Sequence, residues 1–160
     1  ESEAIATVDL IAIINGALDL NDAKRRETGI SLRWKASSDP VWVRGGEVRL
    51  GQVLLNLITN ACDAMLESEE RHLTIALMRA KGRVRVTIAD TGPGIAAPDR
   101  IFDPFYTTKE VGAAEGMGLG LSISYGLVQS FGGDIKGENR EGGGAVFTLE
   151  LESAKRDEGS

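Results

Sequence analysis

The chain is poor in several things, and each shortage excludes something. It has one cysteine, Cys62, so no internal disulfide is available. A lone thiol inside an apolar stretch reads as a small buried hydrophobe in a reducing compartment. Long hydrophobic runs are missing, and no signal-peptide pattern opens the chain, so neither a bilayer span nor a secretory leader is expected within it. Positive charge is in deficit, with 18 Lys and Arg against 24 Asp and Glu, and a net charge of −6 argues against bulk nucleic-acid binding. Proline is scarce at 4 residues, three of which (Pro93, Pro98 and Pro104) crowd one stretch and break regular structure there. An initiator Met is absent, and a start at Glu1 points to a piece of a longer protein. Glycine, by contrast, is abundant. Of its 20 residues, 11 fall between Gly112 and Gly144, which marks a region where backbone matters more than side chains.

A length of 160 residues without repeats or internal linkers suits a single domain with its own core. Residues from about Val8 to Arg26 have helical periodicity, with Gly29 as a stop. Ile30 to Lys35 and Val41 to Val43 read as short strands around the Asp39-Pro40 turn. A helix is expected from about Glu47 to Glu67. Leu73 to Met78 and Arg83 to Ala89 form a hairpin across Lys81-Gly82. Asp90 to about Gly116 is irregular. Gly118 to Phe131 is helical again, and strands at Asp134–Gly137 and Ala145–Leu151 close the fold before a disordered tail.

The stretch from Gln52 to Met65 organises the rest. Val53, Leu54, Leu57, Ile58, Ala61 and Met65 give it a core face. Gln52, Asn56, Asn60 and Asp63 recur at the same three- and four-residue spacing, so they line a second stripe. That stripe is either a solvated face or a wall that meets a ligand or a metal ion. Asn is a poor helix former, and solvated faces usually carry Lys and Glu.

The irregular segment is too long for an idle connection. It places Ile101, Phe102, Phe105 and Tyr106 between glycine-rich flanks, as in a lid. At its first end, Asp90-Thr91-Gly92-Pro93-Gly94-Ile95 follows a strand. A carboxylate there can accept from an amino group while glycine lets a flat ligand approach; taken alone, the stretch is equally a turn. At its second end, Gly116-Met117-Gly118-Leu119-Gly120-Leu121 runs into a helix, whose free N–H groups suit phosphate.

In this order, the Asn-bearing helix, the Asp-x-Gly-x-Gly strand end, the aromatic lid and the Gly-x-Gly-x-Gly helix start resemble the ATP-binding catalytic domain of two-component sensor histidine kinases. That family belongs to the superfamily of gyrase, Hsp90 and MutL. Asn56 and Asn60 match its N box, Asp90-x-Gly92-x-Gly94 its G1 box and Phe102-Asp103-Pro104-Phe105 its F box. Gly116-x-Gly118-x-Gly120 matches its G2 box, and Gly142 to Thr148 looks like its last glycine box. Phe105 to Lys109 and Gly118 to Gly126 look most like C4-dicarboxylate transport and nitrogen-sensing kinases.

The resemblance implies a Bergerat-type α/β two-layer sandwich, with a mixed, mostly antiparallel sheet of about five strands and three helices on one face. Residues 1–8 would be the trailing end of a dimerisation region, 9–152 the catalytic domain and 153–160 the tail. It also implies ATP and Mg²⁺ as cofactors. Asn60 would ligate the metal, and Asn56 would reach the same ion or the phosphates, which makes these two the catalytic pair. Asp63 would border the nucleotide. Asp90 would accept from the adenine amino group beside Gly92, Gly94 and Ile95, and Thr148 would contact adenine through water. The backbone from Gly116 to Leu121 (Met117, Gly118, Leu119 and Gly120 between them) would hold phosphate. Phe105, Tyr106, Thr107, Thr108 and Lys109 would reach the nucleotide from the lid. The implied partners are a dimerisation domain carrying the phosphoacceptor histidine and a response-regulator receiver domain, in the cytoplasmic part of an inner-membrane sensor.

His72, the only histidine, opens a predicted strand and lacks an acceptor context, so it is expected at the surface. Three activities compete: phosphotransfer to a partner histidine, ATP hydrolysis driving a conformational machine, and nucleotide binding without turnover. The gyrase-type relatives carry a glutamate general base one turn before the metal-binding Asn. Here that position is Asn56, whose amide cannot take a proton from water.

Overall fold

The computed structural model describes residues 4–36, 38–95 and 115–155, with only the backbone given at 115–119. Most of the expected lid, with Phe105, Tyr106, Thr107, Thr108 and Lys109, lies outside the described residues. Strand β1 (Ala6–Asp9) leads into helix α1 (Leu10–Glu27), followed by β2 (Ser31–Arg33) and β3 (Trp42–Gly45). Helix α2 (Glu47–Ala64), β4 (His72–Ala80), β5 (Arg83–Ala89), helix α3 (Glu115–Ser130), β6 (Asp134–Asn139) and β7 (Ala145–Glu152) complete the order.

Five strands form the main sheet in the order β2-β4-β5-β7-β6. Only β2 and β4 run parallel; the remaining neighbours are antiparallel. The expected sandwich is therefore present, with its three helices on one face. Period-two alternation builds that face: Val84, Val86 and Ile88 of β5 and Phe147, Leu149 and Leu151 of β7 are buried. The opposite face carries ion pairs of Arg83 and Arg85 with Glu150, partly exposed and worth ~0–1 kcal/mol each.

Helices α1 and α2 lie side by side and run in the same direction. Gly51 faces Ile13 near their starts, and Asp63 pairs with Lys24 near their ends. Leu50, Val53, Leu54, Leu57 and Ile58 of α2 are all buried, and full burial stabilises each by about 1.5–3 kcal/mol. Among the described residues no helix is long and apolar enough to cross a membrane.

Two helix starts differ from expectation, and one expected strand finds its sheet. The first helix does not begin at Val8. Ala6–Asp9 form β1, and Asp9 caps α1 by accepting from Ile11 N–H at 3.1 Å. The strand at residues 41–43 does not join the main sheet; as β3 it pairs with β1 in a separate two-stranded sheet. Helix α3 begins at Glu115, three residues before the expected start at Gly118, so Gly116 lies within it together with Gly118 and Gly120. The chain end is also held further than expected, since Ser153 N–H donates to Gly82 O and Ala154 N–H to Trp42 O, both at 2.9 Å.

Candidate functional site

Helix α2 is the wall on which the motifs converge. Asn60 is 9% exposed, and its Nδ2 has no hydrogen-bond partner among the described residues. A buried amide left in that state costs about 1–3 kcal/mol, which an arriving ligand or water relieves. One turn earlier, Asn56 donates from Nδ2 to Ser124 Oγ of α3 at 3.1 Å, and Ser124 is itself buried. Gly120 closes against the same amide: a Cβ there would sit 2.9 Å from Asn56 Oδ1. Asp63 is set apart from these two, because its carboxylate is ion-paired with Lys24 of α1. Gln52 is exposed.

The end of β5 abuts the other end of this wall. Gly92 packs so tightly on α2 that a Cβ would lie 2.5 Å from the Ala64 carbonyl oxygen. Just before it, Asp90 is only 2% exposed. Its Oδ1 accepts from Gly92 N–H at 2.8 Å and Ala145 N–H at 3.3 Å. Among the described residues nothing donates to Oδ2. Burial pushes the Asp90 carboxyl above the ordinary carboxylate range, while the Gly92 and Ala145 amides and the Arg140 charge pull it back. One oxygen is thus committed to fixing the side chain and the other is left to accept from something else. Thr91 anchors the loop from outside, its hydroxyl donating to Glu70 O at 2.8 Å and accepting from His72 N–H at 3.0 Å. His72 is exposed at the start of β4, as expected.

The β6–β7 turn grips the same loop. Arg140 Nη1 donates to Asp90 O at 2.7 Å, and Asn139 holds Ile95 through two hydrogen bonds. Gly144 has φ +90°, and a Cβ there would collide with the Asp90 carbonyl. Of the triple glycine, Gly144 is therefore where one backbone closely approaches another, while Gly142 and Gly143 have open space beside them.

Thr148 does not point inward. Phe147 and Leu149 take the core face, so Thr148 lies on the opposite face, lining a charged cleft with Arg85, Lys136 and Glu150. Four contributors lie outside the expected set. Ser124, Asn139 and Arg140 hold the site through side chains, and Ala145 through its amide. Ser124 sits within the glycine-rich helix stretch and Asn139 beside the final glycines, but only their tertiary contacts give them a role.

Comparison with known proteins follows the same lines. A family model described as histidine kinase-, DNA gyrase B-, and HSP90-like ATPase matches residues 45–155. The chain is 38% identical over 147 residues to the C4-dicarboxylate transport sensor protein DctB of Pseudomonas aeruginosa, covering 90% of this chain and 24% of that protein. It is 39% identical over 152 residues to the sensor histidine kinase ZraS of Escherichia coli K12, covering 92% of this chain and 31% of that one. The chain thus spans only about a quarter to a third of these relatives. Among solved structures, the nucleotide-free catalytic domain of histidine kinase ThkA superposes with a TM-score of 0.81 at 32% identity, covering 94% of this chain and 96% of that one. Full-length ShkA in complex with AMPPNP gives 0.76 at 32% identity, covering 98% and 33%. ThkA in complex with the response regulator TrrA gives 0.77 at 30% identity, covering 95% and 43%.

Proposed function

We propose that this chain, which belongs to the histidine kinase-, DNA gyrase B- and HSP90-like ATPase family, binds Mg–ATP and presents its γ-phosphoryl group to a histidine on a separate dimerisation domain. One observation carries the reading. Gly92 on Ala64 and Gly120 on Asn56 bring the Asp90 loop and the start of α3 against one helix, which leaves the unpartnered Asn60 amide between them.

Asp90 Oδ2 is the acceptor for the adenine amino group, and the loop around Gly94 is the backbone against which the base lies. The first turns of α3 offer amides at the positive end of the helix dipole for the phosphates. The residues fit Mg²⁺, which takes hard oxygen ligands and is shared with substrate phosphates. Asn60 would hold it through Oδ1 while Nδ2 donates to a phosphate oxygen or a metal-bound water, satisfying the buried amide. The ion supplies charge neutralisation at the phosphates. Asn56, tied to Ser124, braces α2 against α3 and borders the same phosphates. The protein's own work is positioning and electrostatic stabilisation, which suffice for a loose phosphoryl-transfer transition state.

The acceptor histidine belongs to a partner domain: His72, the chain's one histidine, opens strand β4, where its backbone N–H is tied to Thr91, away from the helix α2 wall. A response-regulator receiver domain then takes the phosphoryl group; the ThkA–TrrA complex supports that pairing by likeness. The parent is a membrane sensor with this domain on the cytoplasmic side, where ATP is available. Recovery of the full-length protein from the soluble fraction without detergent would refute that placement. The decisive experiment mixes the chain with γ-labelled ATP and a histidine-bearing dimerisation domain. Acid-labile, alkali-stable label on the partner is expected. Steady ATP hydrolysis without labelled partner would favour the gyrase-type machine instead.

A further inference from the structure

The geometry points to Asn139 as a positioning residue for the base end of the nucleotide site, an inference that rests on the nucleotide reading above. Asn139 is the last residue of β6, and there its side chain takes over from the ladder. Oδ1 accepts from Ile95 N–H at 2.6 Å, and Nδ2 donates to Ile95 O at 3.0 Å. A side-chain amide thus stands in for a peptide unit and pairs both backbone groups of one residue, 44 positions away in sequence. The two bonds also fix the orientation of the amide, because reversing it would face donor with donor and acceptor with acceptor.

What the clamp holds is the chain on leaving the Asp90 loop. Gly94 lies directly beneath it, with φ +96°, and a Cβ there would sit 2.7 Å from Asn139 Oδ1. The next residue, Arg140, donates to the carbonyl of Asp90 itself. Residues 139 and 140 therefore grip the loop at both ends, Asp90 and Ile95, with the glycines between them. Without Asn139 the Asp90 end stays fixed through Arg140 and Ala145, while the Gly94–Ile95 end loses both of its side-chain tethers. The base lies against that end, so the loss falls on base binding and spares the phosphates, which belong to the start of α3.

The test compares Asn139→Ala and Asn139→Asp with the parent chain by calorimetric titration, using ATP and inorganic tripolyphosphate, each with Mg²⁺, after thermal melts of all three. Asn139→Asp keeps the shape and the acceptor for Ile95 N–H while removing the donor to Ile95 O, so it tests the clamp without opening a gap. Expected are about tenfold weaker ATP binding in Asn139→Ala, a smaller loss in Asn139→Asp, and unchanged tripolyphosphate binding in both. Equal ATP affinity in parent and both variants overturns the inference. So does a matched loss of ATP and tripolyphosphate binding, which would make Asn139 a residue of general stability. Should Asn139→Ala fail to melt cooperatively, Asn139→Asp decides by the same criteria. Failure of the parent itself to bind ATP would be a different result, and would sink the nucleotide reading instead.

Discussion

Replacing Asp90 by Asn separates recognition from folding, because the structure dictates how the new amide must sit. Two amides, Gly92 N–H at 2.8 Å and Ala145 N–H at 3.3 Å, converge on Oδ1. Only an oxygen can take that place, so the Asn side chain keeps its carbonyl there and its NH₂ replaces Oδ2. The group offered to the adenine 6-amino is then a donor facing a donor. Losing an acceptor and leaving a buried donor unpaired costs about 1–3 kcal/mol, or roughly 5- to 150-fold in Kd. The loss should be the same with or without Mg²⁺, and GTP, whose 6-keto group accepts, should be discriminated against less than in the parent. Stability should move the other way. Burial raises the Asp90 carboxyl, so the native state holds this proton more tightly than the unfolded chain. The parent therefore loses stability from this group as pH rises from the unfolded carboxylate range through the raised native value, and keeps it fully below both. Asn does not ionise and escapes that loss. The melting temperature of Asp90→Asn relative to the parent should rise between pH 4 and pH 7. Titration with ATP and GTP, each with and without Mg²⁺, reads the first half and melting curves the second. Parent-like ATP affinity in the variant would refute the base assignment and reduce Asp90 to a turn residue.

Asn60→Ala should lose much of its ATP affinity when Mg²⁺ is present and little when the metal is chelated; unchanged Mg²⁺-dependent affinity and phosphotransfer would return the α2 stripe to an ordinary helix face. Asn60→Leu, with the same branched heavy-atom skeleton and without the orphan amide, should melt at or above the parent, by the equivalent of roughly 1 kcal/mol, while binding Mg–ATP poorly. Gly92→Ala forces a methyl onto the Ala64 carbonyl and should cost about 1–3 kcal/mol, read as a lower urea midpoint with an unchanged slope. Cys62 is buried, its thiol is raised chiefly by burial, and Sγ donates to Asn21 Oδ1 at 3.6 Å. An aromatic disulfide reagent should label it only as fast as the protein opens, and labelling within the mixing time would contradict the packing.

Local pattern revealed most of this architecture. The helical period from Val53 to Met65, the alternation in β5 and β7, and the Lys81-Gly82 turn each depend on neighbours in sequence. That turn bears positive φ at both residues, as a tight hairpin requires. What escaped depends on distance. Strand β1 exists because Ala6–Asp9 finds Trp42–Gly45, and four residues show no periodicity of their own. Gly116 read as the end of the irregular segment because glycine is a weak helix former, yet α3 covers it. The adenine contact expected of Thr148 conflicts with the alternation of its own strand, in which Phe147 and Leu149 already claim the core face. The site shows the same division. Asn60 and Asp90 stand out by residue type, whereas Ser124 and Asn139 acquire their roles only from partners 68 and 44 residues away.

Strand β3 has a mechanical side. It receives β1 along its length, and the far end of the chain also reaches it, through the Val43–Ser153 bridge and the Ala154 bond to Trp42. Residues 6–9 and 153–154 are thus both fastened to one four-residue strand. Only Gly46 separates β3 from α2, so a twist applied at that strand arrives first at the helix that carries Asn56 and Asn60.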